Sequence, residues 1–454
     1  MNEVSVLCAS GSLGLTPMHP ESYWRAVEAG PDAIVADAGS GDIGPHYLGS
    51  GAEYNPREWE KHDLRLMLVA ARRLGVPMIV GSAGGAGTNA AVDRVADIIR
   101  EIAADEGLSG FKMAKIYAEL DADDLARRAA EETIPGLGAR DPLSVDHVRE
   151  CSRVVAMMGV EPFLEALEAG ADVIIAGRAC DDALFAAVPI RAGHDKGLAL
   201  HMGKTLECGP LVATPIVMRE AIMGTIRGDD FVLEPFHPDQ RCTPMSVAGH
   251  TLYERLNPYT LPVPGGVVDM HDVKFEAHTD RICRVSGSRW IPADHYTVKL
   301  EGSAFVGHQS IFIFGLRDPL SIANIDRVTG GIRAEVEKHY GPSEGGSYHL
   351  LFHIYGKDAV MGPREPTPEI RSHEIGVVVE AVAPDAKDAK GIAKLAKYSS
   401  FRVNYPGKLG TAGGSAMLAD EVYSSAIPRY RWVIDHLLPL DDPTALFPTT
   451  LEEV

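Results

Sequence analysis

Basic residues are scarce in this chain of 454: 43 Lys and Arg stand against 63 Asp and Glu, a formal charge of −20. Nucleic acid and anionic membrane both need basic surface, so neither is expected as a partner. A small anionic substrate is not excluded, because it requires only a local basic pocket. Cysteine is scarce as well. The six (Cys8, Cys151, Cys180, Cys208, Cys242, Cys283) are scattered without a C-x-x-C pair. That argues for reduced thiols and against a disulfide framework or a cysteine metal site. No apolar run is long enough to span a bilayer, and MNEVSVLCAS enters a strand-like run without the basic region of a signal peptide. A cytoplasmic location is therefore the expectation. Also missing are G-x-S-x-G, H-E-x-x-H and a Walker A loop, any internal repeat and any low-complexity tail.

What is present is alternation. Val4 to Cys8, Ala33 to Ala36, Pro77 to Val80, Phe111 to Tyr117 and Val173 to Ala176 read as strands. Amphipathic helices fall between them, among them Asp63 to Leu74 and Ala90 to Ala104. Strands alternating with helices predict an α/β fold, with a doubly wound, mostly parallel, Rossmann-like sheet over residues 1–228. Beyond Phe231 prolines multiply and short β-like runs replace helical periodicity, so 229–345 reads as a mixed β region. A small α+β layer is expected over 346–454, with strands at His349 to Tyr355 and Ile375 to Val382, a helix at Ala386 to Tyr398, a Gly-rich loop and a final helix near Pro428 to Leu437. His349 and His353 share a strand face, which reads as packing.

Candidate chemistry sits where strands end, because open α/β sheets bind ligands at the carboxyl ends of their strands. After Val173-Ile174-Ile175-Ala176 come Gly177, Arg178, Asp181 and Asp182 within one turn. Arg178 has the planar fork that holds a substrate carboxylate. The alternative is an Arg–Asp ion pair capping a helix. Asp37 and Asp42 follow the second strand and Ser10 the first. Converging carboxylates can share a proton or hold a divalent metal, and no spacing is diagnostic, so a metal stays open. Gly81, Ser82, Gly84, Gly85, Gly87, Thr88 and Asn89 form a Gly-rich loop whose backbone N–H groups suit an anion at a helix N-terminus. Its alternative is a tight turn for helix–sheet packing. The loop fits G-x-G-x-x-A but follows the third strand and lacks the acidic residue a dinucleotide needs, so NAD is disfavoured. Glu207 beside Cys208 reads as an acid/base next to a small buried thiol.

EALEAGADVIIAGRACDDALFAAVPI followed by TLECGP resembles the acyclic terpene utilisation AtuA family. MIVGSAGGAGTNAAVDRV, RVSGSRWIPADHYTVKL and HEIGVVVEAVAP through GKLGTAGGSAMLADEVYSSAIPRYRWVIDHLL resemble further segments of it, so the likeness runs over nearly the whole chain. The first two strand-end loops depart from the family pattern, which points to a different substrate. The resemblance implies catabolism of branched, carboxylated acyl-CoA intermediates or small polycarboxylates, and a small companion subunit. The expectation is an enzyme, a hydro-lyase acting on a carboxylated acid or its CoA thioester. In it Asp181, Asp182 and Glu207 move protons, Arg178 anchors a carboxylate and the Gly loop holds an oxyanion. Alternatives are a non-catalytic acyl-CoA-binding subunit and an NAD-dependent oxidoreductase. A homo-oligomer is expected; the cofactor is open, with CoA entering as part of the substrate.

Overall fold

Short β-branched runs lie at the middle of the main sheet, as their lack of charge requires of strands covered on both faces. The computed structural model describes residues 3–410, 414–417 and 424–454. Its first six strands are β1 (Val4–Ser12), β2 (Ala33–Asp37), β3 (Met78–Gly81), β4 (Lys112–Ile116), β5 (Arg153–Met157) and β6 (Val173–Ala176). All but β5 lie parallel in one sheet, in the order β1-β2-β3-β6-β4. A hairpin of β7 (Ile222–Arg227) and β8 (Asp230–Pro235) turns at Gly228 and Asp229 and adds antiparallel beside β1. Strands Cys283–Ser286 and Lys274–Ala277 continue that side, and Thr449–Glu453 closes the other against β4. The result is a mixed sheet of ten strands.

Successive strand residues face opposite sides, and the core divides accordingly. Val6, Cys8, Val35, Ile79 and Ile174 pack with Phe163, Leu167, Leu184 and Phe185 from helices Glu161–Glu168 and Asp181–Arg191. Leu7, Ile34, Val80, Val173 and Ile175 pack with Tyr23, Leu64, Leu68, Val92 and Ile99 from helices Pro20–Glu28, Arg57–Leu74 and Asn89–Glu106. Because the strands are parallel, the loops after β1, β2, β3 and β6 share one edge of the sheet. That edge carries the site.

Two compact units divide the chain: residues 1–304 with 432–454, and residues 305–431. The second has its own core, in which Phe312, Phe314, Val377 and Val379 meet Ile332, Val336, Ile392 and Ala396 of helices Ile325–Tyr340 and Ala386–Arg402. Within it His353 bonds Glu380 through Nε2 at 3.2 Å, while His349 is exposed.

The helix expected near Pro428 to Leu437 is instead part of a strand, Ser424–Leu440. Ile434, His436, Leu438 and Leu440 are buried at every second position, a strand period, and Tyr430, Trp432 and Val433 favour that geometry. Of the Gly-rich loop expected before it, residues 411–413 lie outside the described residues. Among the described residues no helix is long and apolar enough to cross a membrane.

Candidate functional site

Two close backbone approaches and one strained turn build the site. Helix Asp181–Arg191 begins directly after the β6 loop. Helix Lys196–Leu206 packs on it at Gly203, where a Cβ would stand 2.3 Å from the Asp182 carbonyl oxygen. Glycine is required there, and the approach sets Lys204 against the start of the first helix. At the end of β1, a Cβ on Gly11 would stand 2.7 Å from the Cys208 carbonyl oxygen, so the Ser10 loop lies against Glu207-Cys208-Gly209. Glu254 arrives from the turn after helix Pro244–Thr251, with φ +60. A left-handed non-glycine residue stores strain, and such residues cluster at functional sites.

Lys204 Nζ is the hub. It donates to Glu207 Oε1 at 2.8 Å and Glu254 Oε2 at 3.3 Å, with Asp181 Oδ2 at 3.5 Å. Three cavities border its carboxylate partners: Asp181 and Glu254 line all three, and Lys204 itself lines one. One, of about 370 Å³, also takes in Asp42, Arg178, Lys299 and Glu301. The second, about 230 Å³, takes in Ser10, Asp37, Asp42, Glu207, Cys208 and Tyr253. The third, about 390 Å³, takes in Asp182, Lys204 and Arg255.

Negative charge exceeds positive here, and protonation equilibria respond. Burial, reinforced by Asp181, pushes Asp37 well above the usual carboxylate range. Burial raises Asp182 to about 6 and, with Asp181, Glu207 to about 7. Asp42 is raised by burial and by Glu254, with which it shares a hydrogen bond. Glu254 also suffers burial, but hydrogen bonds from Tyr253 and Lys204 hold it below its ordinary value. Burial works against the Lys204 ammonium, yet Glu207 and Asp181 keep it above the usual lysine range.

The structure thus brings together Ser10, Asp37, Asp42, Arg178, Asp181, Asp182 and Glu207. Arg178 is spoken for. Its Nε donates to Glu301 Oε2 at 2.9 Å and its Nη2 to Oε1 at 3.4 Å, while Nη1 reaches Ser82 Oγ at 3.3 Å and the Ala179 carbonyl at 3.1 Å. Asp181 stands 3.6 Å from Nη1. Arg178 outweighs burial and holds Glu301 down at about 2. The fork expected to grip a substrate carboxylate grips one of the chain's own.

The Gly loop also faces inward. The N–H groups of Ser82, Ala83, Gly85 and Gly87 donate to Gly177, Ala176, Ser82 and Ala83 carbonyls. Asn89 N–H, at the start of its helix, donates to Glu119 Oε2 at 3.1 Å, so the chain supplies its own anion to that dipole. Thr88 caps the helix by accepting from Ala91 N–H. A Cβ on Gly85 would meet the Tyr54 Cβ at 2.7 Å, and one on Gly87 the Arg178 backbone nitrogen at 2.3 Å. These glycines serve packing, and none of Gly81, Ser82, Gly84, Gly85, Gly87, Thr88 and Asn89 lines the three cavities. Ser82, buried at φ +49, still contributes by joining Arg178 to the Ala179 N–H.

Lys204, Glu254, Glu301 and Arg255 escaped sequence reasoning. Lys204 alone left a local signal, standing one helical turn before Glu207. Cys208 is brought, against expectation, within reach of metal-type partners: ligand atoms of Glu207, Cys208 and His250 lie within 4.8 Å of one another. The Lys204 ammonium already holds Glu207, however, and no metal is assigned to this set.

The family model for the acyclic terpene utilisation family protein AtuA matches residues 4–431. No curated protein and no solved structure matches the chain.

Proposed function

The chain belongs to the acyclic terpene utilisation AtuA family, which implies a role in acyclic terpene catabolism, and from that premise we propose that it is a hydro-lyase acting on a small carboxylated acid or its CoA thioester. The observation that carries the reading is the Lys204 hub, a buried ammonium held by Asp181, Glu207 and Glu254, of which Asp181 and Glu254 line three cavities. A carboxylate that takes a proton beside a fixed cation is the equipment for making an enolate. In the dehydrating direction Glu207 or Asp181 removes the proton on the carbon next to the substrate carbonyl, breaking the C–H bond. The Lys204 ammonium balances charge developing on the carbonyl oxygen. Collapse of the enolate forms the C=C bond and breaks the C–O bond of the β-hydroxyl. That hydroxyl leaves as water with a proton from Asp182, whose carboxyl titrates near 6 and so exchanges protons close to neutrality. Hydration is the reverse.

In this reading Arg178 is a positioning residue: through Glu301 and Ser82 it fixes the turn that presents Asp181. Ser10, Asp37 and Asp42 line the route to the hub. A small companion subunit and self-association remain part of the proposal.

The test is incubation with a panel of β-hydroxy and α,β-unsaturated acids and their CoA thioesters, followed by mass spectrometry for gain or loss of water. Conversion of one member, lost in both Glu207→Gln and Asp182→Asn while ligand affinity persists, supports the reading. Conversion that survives both substitutions removes it, and binding without conversion favours a non-catalytic acyl-CoA-binding subunit.

A further inference from the structure

The cavity beside Lys204 holds a guanidinium that the fold leaves without a carboxylate, and near it a buried carboxyl without a cation in contact. Arg255 buries its Nε and Nη2 without a hydrogen-bond partner, and its Nη1 meets the Met270 sulfur at 2.8 Å, a weak acceptor. No carboxylate among the described residues stands within ion-pair distance of it. Burial accordingly brings Arg255 down to about 10, with Asp182 the acid that opposes the change. Asp182 is 1% exposed, and its carboxyl is met only by the Cys180 thiol and its own backbone N–H, with no cation in ion-pair contact among the described residues. Buried polar groups are nearly always satisfied, and an exception calls for an explanation. The neighbouring groups do not supply one. Lys204 is engaged by its three carboxylates, His201 is bonded to Ser288 and Thr251, and burial holds both His201 and His250 neutral, at about 3 and about 4.

We infer that this cavity binds a small carboxylate, with Arg255 as its anchor and Asp182 facing an oxygen elsewhere on the same molecule. The inference rests on the reading of the chain as acting on a carboxylated acid, and it names the residue that selects for one. Nε and Nη2 lie on one side of a guanidinium, the spacing that takes a carboxylate with two parallel hydrogen bonds. Leu261 and Pro262 line the same cavity and offer apolar surface to a short carbon skeleton. When protonated, Asp182 donates to a ligand hydroxyl or carbonyl oxygen; ionised, it accepts from a hydroxyl. The ligand class is therefore a hydroxy- or oxo-carboxylate of a few carbons. A phosphate monoester would satisfy the guanidinium but set a second negative charge against Asp182, Asp181 and Glu254.

The experiment is calorimetric titration of the full chain with racemic 3-hydroxybutyrate and with 3-hydroxybutyramide at matched ionic strength. Wild type should bind the acid and not the amide. Arg255→Met should abolish binding with no fall in thermal midpoint. Arg255→Lys should weaken it on the order of tenfold, the worth of one charge-assisted hydrogen bond. Asp182→Asn should retain binding of the acid, because its amide still meets the hydroxyl. Equal affinity for acid and amide, unchanged affinity in folded Arg255→Met, or no binding by wild type overturns the assignment. Turnover is not read in this titration, so the result stands apart from the hydration assay. An anchor without conversion would leave the carboxylate site intact and end the hydro-lyase reading.

Discussion

Arg178 and Arg255 line two cavities that share Asp181 and Glu254, yet the fold treats them in opposite ways. Arg178 is buried and satisfied on every side, by Glu301, Ser82 and the Ala179 carbonyl. Arg255 is buried in part and faces Asp182 without touching it. The first belongs to the frame, because a buried charge with a complete set of partners has none to offer a ligand. The second is held ready, because its unmet hydrogen bonds are made only when something else enters. The difference also separates the two carboxylates. Glu301 is held ionised by its guanidinium, whereas Asp182, lacking one, keeps its proton to about pH 6.

Breaking the satisfied pair should have the largest effect. Glu301→Leu leaves Arg178 buried without its carboxylate and should cost about 3–5 kcal/mol, read as a lower denaturant midpoint with unchanged slope. A loss under about 1 kcal/mol would mean that Arg178 is less committed to the frame than its contacts indicate.

The buried carboxyl without a guanidinium should show itself in pH dependence. Folding raises Asp182 from 3.8 to about 6, so the folded state holds this proton more tightly than the unfolded chain does. Its contribution is full below pH 4 and is lost as pH rises through 6, by up to about 3 kcal/mol. Asp182→Asn should flatten that part of the stability curve between pH 4 and 6. An unaltered slope would show that Asp182 is already ionised across the range.

The smallest effect is expected at the other member of the contrast. Arg255→Met removes a charge with no partner to orphan, and its stability should stay within about 1 kcal/mol of wild type or rise. A loss comparable to that of Glu301→Leu would place Arg255 in the frame and erase the distinction.

How far this contrast could be seen beforehand depends on how local each signal is. Val173–Ala176 reads as a strand because an uncharged β-branched run between glycines has few other uses, and it occupies those four residues in the structure. Parallel strands then put Ser10, Asp37, Asp42 and Asp181 on one edge by topology alone. The partners of these groups are another matter. Glu301 comes from a strand more than a hundred residues after Arg178, and nothing near either marks the pairing. Arg255 lies in a turn that sequence pattern does not distinguish from its neighbours. Gly85 and Gly87 carry an anion-loop pattern, but their loop N–H groups are answered by backbone carbonyls and by Glu119, which only the fold reveals. Residues 430–437 mislead for the opposite reason: their apolar content fits a helix or a strand, and pairing in the sheet decides.

The contrast between the two arginines is tested most directly by making the same substitution at both. Arg178→Lys and Arg255→Lys should be titrated with 3-hydroxybutyrate beside thermal melts of each. Arg178→Lys is predicted to lower the melting temperature and leave the affinity of the folded protein intact, while Arg255→Lys weakens binding on the order of tenfold and leaves the melt unchanged. The reverse assignment, with binding lost at Arg178 and stability lost at Arg255, would contradict the account.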